Sequence, residues 1–468
     1  MTTRLLLILS CLFSLHSLPT VASNDLPDLG HPSEQTLTPA EEKELGKAFI
    51  RALKAQASLV EDELVVDYIR NLGLQLASNS PEQGRDYHFF VIDENDINAF
   101  AGPNATIGIN KGLILAANNE SQLASVVAHE IAHVTQKHLT RAFQASEDAS
   151  ITTIATVLAG ILVSAADPTA GAALVFGGMA SGMQQQINFT RSNEYEADRV
   201  GIQILDNSNI NPVGMIEFFE ILQSSSFYGS ENDIEYLRTH PLNSARIAEA
   251  SSRTPRSSAN KPRDSLLFQL SRQRLIVANH DNPAELIKDY PEDSTRLSEL
   301  YARALILMRL NKIDAAIASF TNLLSTREHL WFQLGLADAY IKAKSYKLAK
   351  PHLKNLYDIY PDYLPVVHAY ARLLTVTGDY ELTTQVLEKQ LKLEPSSKTY
   401  RLLAQAYSGQ NKLLKAYTVR AEQFARDGFY EYAIQQLTNA IQLPDLSTET
   451  IRRLHAKIQI YKKQYKTE

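Results

Sequence analysis

The string His129-Glu130-Ile131-Ala132-His133 places two imidazoles four residues apart with an acid between them. The run before it, Ser121-Gln122-Leu123-Ala124-Ser125-Val126-Val127-Ala128, is helix-forming, so both histidines fall on one face, one turn apart, where they can bind one ion. Zinc favours such nitrogen ligands at about 2.0–2.1 Å. Glu130 is rotated by roughly 100° from His129, which lets it reach a water on the ion rather than the ion itself. It is the candidate general base.

A second cluster, Asn193-Glu194-Tyr195-Glu196-Ala197-Asp198-Arg199, follows about sixty residues later and is again helical in pattern. Glu194 and Asp198 share a face, whereas Glu196 points elsewhere. A catalytic zinc takes three protein ligands and keeps a fourth position open to water, so Glu194 is the expected third ligand beside His129 and His133. The shorter Asp198 is expected to accept a ring N–H from a ligand histidine and so fix its tautomer. A solvated acidic helix face is the alternative for either cluster alone; together they favour a site for one zinc per chain.

Three further residues have open roles. His240, in Thr239-His240-Pro241, sits in a loop stiffened by proline. It is either a fourth ligand that displaces water and silences the site, a donor to the oxyanion, or a structural histidine. Arg246 either stabilises a tetrahedral intermediate or pairs with an acid. His138, five residues after His133, falls off the ligand face and is expected to be an exposed polar residue.

The elements that must position these groups are legible in outline. From about residue 39 to residue 80 the apolar spacing is helical, with Thr38 a candidate N-cap before Pro39-Ala40-Glu41-Glu42. Tyr87-His88-Phe89-Phe90-Val91-Ile92 and Ala105-Thr106-Ile107-Gly108-Ile109 read as strands of a small sheet. Helical pattern resumes at residue 121 and continues, with breaks, to about residue 253. Within it, residues 151–179 form the most apolar internal stretch, broken at Asp167-Pro168 into halves too short to span a bilayer. This hairpin either packs in the core or flanks the cleft against a membrane surface or a substrate.

Residues 256–263 are polar and rich in Ser and Pro, the composition of a linker between a domain at 24–255 and another at 264–468. The second region repeats every 34 residues or so: Tyr346, Ala349, Leu353 and Pro361 recur as Tyr380, Thr383, Leu387 and Pro395. Ile313, Ala316 and Phe320 fit an earlier copy, and Tyr430, Ala433 and Leu437 fit the same spacing later. Stacked helix pairs of this kind resemble the tetratricopeptide repeat, whose concave face holds a peptide or protein partner.

The N-terminus differs from all of this. Arg4, an apolar run over residues 5–15 and Thr20-Val21-Ala22-Ser23 read as a secretory signal cleaved near Ser23, giving a 1–23 signal segment. A lipoprotein signal at Cys11 is the alternative. Cys11 is the sole cysteine, so the mature chain has no thiol and must be held by packing or a metal rather than disulfides. The remaining composition, 44% hydrophobic and 21% charged over 468 residues, fits two or three packed domains. A net charge of −6 provides no positive field for nucleic acid.

His129-Glu130-x-x-His133 followed by Glu194-x-x-x-Asp198 resembles the M48 family of zinc metallopeptidases. Asn98-Ala99-Phe100-Ala101, residues 120–125, residues 193–201 and Thr239-His240-Pro241-Leu242 carry the same likeness. Metzincins are not matched, since Gln136 and Leu139 stand where their Gly and His would be. The resemblance implies an α+β gluzincin-type domain, mostly helical with a small sheet, followed by an all-α tetratricopeptide-repeat solenoid. It agrees with Glu194 as zinc ligand and implies that Asn98, Ala99, Phe100 and Ala101 form an edge strand that pairs with an extended substrate. Gly102-Pro103-Asn104 departs from the family's usual glycine pair after that strand.

Members with this layout are periplasmic, which implies a zinc endopeptidase that degrades misassembled outer-membrane β-barrel proteins. The implied partners are the barrel-assembly machinery, with lipopolysaccharide-transport proteins and peripheral membrane contact as further expectations. A chaperone or scaffold acting through its repeats is the competing function.

Overall fold

The computed structural model describes residues 38–145, 183–228, 235–255 and 260–466. The expected signal segment, the apolar stretch 151–179 and residues 256–259 of the expected linker lie outside these. Among the described residues no helix is long and apolar enough to cross a membrane.

Helix α1 (Pro39–Gln56) starts as its sequence requires. Thr38 Oγ1 accepts from Glu41 N and Glu41 Oε2 accepts from Thr38 N, a reciprocal capping box with proline at the first helical position. Helix α2 (Glu63–Ser78) buries Leu64, Tyr68, Leu72 and Leu76, the four-residue spacing of one helix face. Strands β1 (His88–Ile92), β2 (Ala99–Gly102) and β3 (Thr106–Asn110) form a sheet ordered β1-β3-β2, parallel between β1 and β3 and antiparallel between β3 and β2. Strand β2 therefore lies at an edge. The turn after it is held by α1: Asn104, at φ +53°, donates its backbone N–H to Glu42 Oε1 at 3.2 Å.

Next come α3 (Lys111–Ala116) and α4 (Glu120–Thr135), the latter capped by Asn119, whose side chain accepts from Gln122 N. Every residue from 121 to 132 is buried, so α4 is the central rod of this half. Helices α5 (His138–Ala145), α6 (Met183–Asn207), α7 (Val213–Tyr228), α8 (Glu235–Thr239) and α9 (Ser244–Arg253) complete it. Two glycines let α6 and α7 approach α4. A Cβ on Gly201 would sit 3.0 Å from the Met215 side chain and 3.4 Å from His129 N, and one on Gly214 would meet Ser121 O at 2.3 Å.

Residues 260–263 run along this half rather than away from it. Ser121 N donates to Arg263 O at 2.8 Å, Asn211 N to Pro262 O at 3.0 Å, and Lys261 Nζ to Asp206 Oδ1 at 2.6 Å. Helix α10 (Leu266–Asn279) then packs against α2 and α3.

Five antiparallel helix pairs follow, between Leu297 and Lys466, whose second members begin at Ile313, Tyr346, Tyr380, Leu413 and Thr448. Ala316, Ala349 and Ala416 stand buried at the fourth position of three of them, Thr383 in another, where a small side chain lets paired helices cross closely. The Tyr430 copy is out of register with this series: Tyr430, Ala433 and Leu437 lie on the first helix of the last pair, and Leu413 begins the in-register copy. The two halves share one apolar core that runs from α2 and the sheet through α4, α6 and α7 into the repeats. Arg70 pairs with Glu394, Lys398 with Glu63, and Lys54 with Asp427 at 3.1 Å across their junction.

Candidate metal centre

The rod α4 carries His129 and His133 one turn apart, with Glu130 beside them; α6 crosses it and presents Glu194 and Asp198. The segment after α8 brings in His240. His129 Nε2 lies 2.9 Å from His133 Nε2 and 3.3 Å from His240 Nδ1. Glu194 sets Oε2 at 3.3 Å from His129 Nε2, and Oε1 at 3.5 Å from His133 Nε2 and 3.1 Å from His240 Nδ1. One ligand atom from each of these four residues lies within 4.8 Å of the other three. Donors on arms of about 2.05 Å around a tetrahedral ion stand about 3.3 Å apart, so the spacing fits a single zinc-sized ion.

What surrounds the four supports the same fit. Asp198 Oδ1 lies 3.0 Å from His129 Nδ1, the contact expected of it, which leaves Nε2 for the cluster. Arg246 grips Asp198 with two hydrogen bonds of 2.8 Å, reaches Glu194 Oε2 at 3.0 Å and donates to Pro241 O at 2.8 Å. Arg246 is thus paired with two carboxylates. Glu130 is fully buried, and among the described residues its Oε2 has no hydrogen-bond partner. A buried carboxylate oxygen of that kind calls for water or substrate to satisfy it.

Charge at the centre is balanced between opposing groups. Burial pushes His129 down, yet Asp198 and Glu194 outweigh it and raise its pKa to about 10. Burial pushes Glu194 up, and the neighbouring His240 and His129 outweigh that and hold it well below the usual carboxylate range. Glu130 is raised by burial, with His240 and His129 offsetting only part. Burial and the adjacent His129 hold His133 well below an ordinary imidazole.

Three neighbours have places at the centre that the sequence reading did not assign them. Tyr236, buried on α8, stacks its ring on His240 with centroids 4.6 Å apart and sets its hydroxyl 3.5 Å from Glu130 Oε1. Its backbone N–H donates to Ile97 O at 3.2 Å. Because Asn98 O accepts from Asn110 N across the ladder, alternation turns Ile97 O, and next the backbone groups of Ala99 and Ala101, to the outer edge of the sheet. The segment carrying His240 is thus tied to the edge strand. No motif in the sequence announces Tyr236.

His138 is the second, and its expected exposure is corrected: it is 4% exposed and its Nδ1 lies 2.8 Å from His133 Nδ1. Glu196 is the third, 3.1 Å from His138 Nε2 and 2.8 Å from Arg141 Nη1. The reversal responsible is local. Lys137 adopts φ +52°, which ends α4 and turns α5 back toward the histidines.

Known proteins resemble the chain over both halves. The sequence pattern described as Peptidase family M48 matches residues 64–254. The beta-barrel assembly-enhancing protease of Escherichia coli (strain K12) is 32% identical over 448 residues, covering 93% of this chain and 91% of the relative. A putative beta-barrel assembly-enhancing protease of Vibrio cholerae is 32% identical over 453 residues, covering 94% and 93%. The mitochondrial metalloendopeptidase OMA1 of Bos taurus is 28% identical over 209 residues, covering 41% and 39%. With the matched Peptidase family M48 pattern and two assembly-enhancing relatives covered over nine-tenths of their length, the chain is a metalloendopeptidase and belongs to peptidase family M48.

Proposed function

We propose that the chain is a periplasmic zinc endopeptidase acting in outer-membrane β-barrel assembly, with His129, His133 and Glu194 as ligands and Glu130 as general base. The observation that carries the chemistry is the convergence of four ligand atoms from three separate elements beside a buried, underused carboxylate. Zinc held there supplies a Lewis acid that polarises the scissile carbonyl and lowers the pKa of water. Glu130 takes the proton from the attacking water and returns it to the leaving amine. Asp198 keeps His129 in the tautomer that leaves Nε2 free, and Arg246 holds Asp198 in place. An extended substrate pairs with the outward backbone groups of Ala99 and Ala101, which accept any side chain and so suit unfolded strands. The full-length relation to the assembly-enhancing proteases supports barrel proteins as substrates and the assembly machinery as partner. The repeats would hold such partners along their length.

Metal analysis of the purified mature protein tests the centre directly. One zinc per chain is expected, and His129→Ala or Glu194→Ala should lose it; stoichiometric metal in both variants would remove the ligand assignment.

His240 favours a latent resting state. Its ring stands between the ligand cluster and the base, Nδ1 toward Glu194 and Nε2 3.5 Å from Glu130 Oε1, in the space a nucleophilic water must occupy. His240→Ala should therefore cleave an unfolded protein substrate faster than the parent. A capped state favoured by ~1.4 kcal/mol would give about tenfold. A slower rate would assign His240 to the oxyanion instead, and an unchanged rate would make it a structural histidine.

A further inference from the structure

We infer that His138 is a positioning residue for His133, joining that ligand to the Glu196 carboxylate and so fixing its tautomer and orientation. The inference rests on the zinc-peptidase reading above. His133 turns Nε2 toward His129 and Glu194, at 2.9 and 3.5 Å, so its outer nitrogen is Nδ1. That atom meets His138 Nδ1 at 2.8 Å. Two facing ring nitrogens can share only one proton between them. Ligation through Nε2 puts the His133 proton on Nδ1, so His138 must accept there and carry its own proton on Nε2. Glu196 Oε2 stands at 3.1 Å from that Nε2, and Arg141 holds the same oxygen at 2.8 Å. Only one pattern satisfies every atom: Glu196 accepts from His138 Nε2–H, and His138 Nδ1 accepts from His133 Nδ1–H.

The arrangement mirrors the one at His129, where Asp198 makes the contact directly at 3.0 Å. Both ligand histidines thus lean on a carboxylate, one through an intervening imidazole. His138 cannot itself join the ligand set, because it meets His133 on the ring nitrogen facing away from the cluster, and it is absent from the four converging atoms. Simple packing does not account for it either, since an apolar side chain would fill the same 4% exposed space while leaving His133 Nδ1–H buried and unpaired. The left-handed turn at Lys137 is what swings the ring into place, and Arg141 N donates to Lys137 O at 2.9 Å to continue the chain as α5.

The test is zinc affinity of the full chain, by competition with a chelator, for the parent, His138→Leu, His138→Asn and Glu196→Ala. Loss of such an outer partner costs typically 10–100-fold in metal affinity, and that loss is expected for His138→Leu. The Asn Oδ1 takes roughly the place of Nδ1, so His138→Asn should recover affinity to within about fivefold of the parent. In cobalt-substituted protein the visible absorption bands should shift in His138→Leu and return toward the parent in His138→Asn. Glu196 is only partly buried, so Glu196→Ala keeps the fold even if His138→Leu does not, and should weaken zinc by at least about threefold. Equal weakening in Leu and Asn variants would make His138 a packing residue, and unchanged affinity in Glu196→Ala would break the relay; either overturns the inference. A parent that binds no zinc would instead overturn the reading beneath it.

Discussion

Replacing Glu130 by Gln is expected to lower peptide-bond cleavage by about 10²–10⁴-fold while leaving zinc content unchanged, the loss typical of a positioned acid–base group. The amide has nearly the carboxylate's shape, so the enclosed space beside Tyr236 and His240 stays filled. It cannot take up the water proton, and the ligand atoms of His129, His133 and Glu194 are untouched. Cleavage of an unfolded outer-membrane protein, measured together with metal content, checks both halves of the expectation. A variant that loses zinc as well would mean that Glu130 shapes the ligand set rather than the proton transfer. The same substitution separates the two functions open to the chain. Full rescue of an outer-membrane assembly defect by Glu130→Gln would place the main work in the repeats, whereas failed rescue would place it in proteolysis.

The parts of the centre that were legible in the sequence share a physical property: each depends on spacing within one helix. His129 and His133 at four residues, and Glu194 and Asp198 at four residues, fall on common faces whatever the rest of the chain does. Their meeting was not in the pattern; it required the family resemblance or the structure, because α4 and α6 are brought together by Gly201 and a shared apolar core. His138 shows where the periodicity misleads. Extended beyond residue 135, the α4 wheel places it off the ligand face, but a single left-handed residue at Lys137 resets the direction of the chain. A histidine just past a helix end, followed by an Arg and faced by an acid on the second cluster, was the available signal. The repeats were legible for a different reason, since four of the five helix pairs place a small residue at their crossing and so write the same spacing again. The out-of-register copy at Tyr430 arises because one first helix happens to carry Ala433 at its fourth position, where the other four have Leu300, Gln333, Val367 and Tyr400.

Arg246→Ala is expected to destabilise the peptidase half by about 3–5 kcal/mol, the cost of breaking a buried ion pair from one side. Arg246 is 2% exposed, its guanidinium satisfies both oxygens of Asp198, and it neutralises part of Glu194. Asp198 is kept well ionised because Arg246 and His129 outweigh the burial that would protonate it. Without the arginine, Asp198 and Glu194 remain inside without their guanidinium partner, and the guanidinium stacked 5.2 Å over Phe219 leaves a void. Lysine should not restore the loss, since a single ammonium cannot make the two parallel bonds to Asp198. Chemical denaturation of metal-free protein reads the stability directly. Added zinc should stabilise both proteins, but less so Arg246→Ala, in which Asp198 is no longer held against His129, so the gap between variant and parent widens when metal is present. A loss below about 1 kcal/mol, within the range of exposed pairs, would show that Asp198 and Glu194 are solvated and that the centre is not the dry, charge-balanced pocket described here.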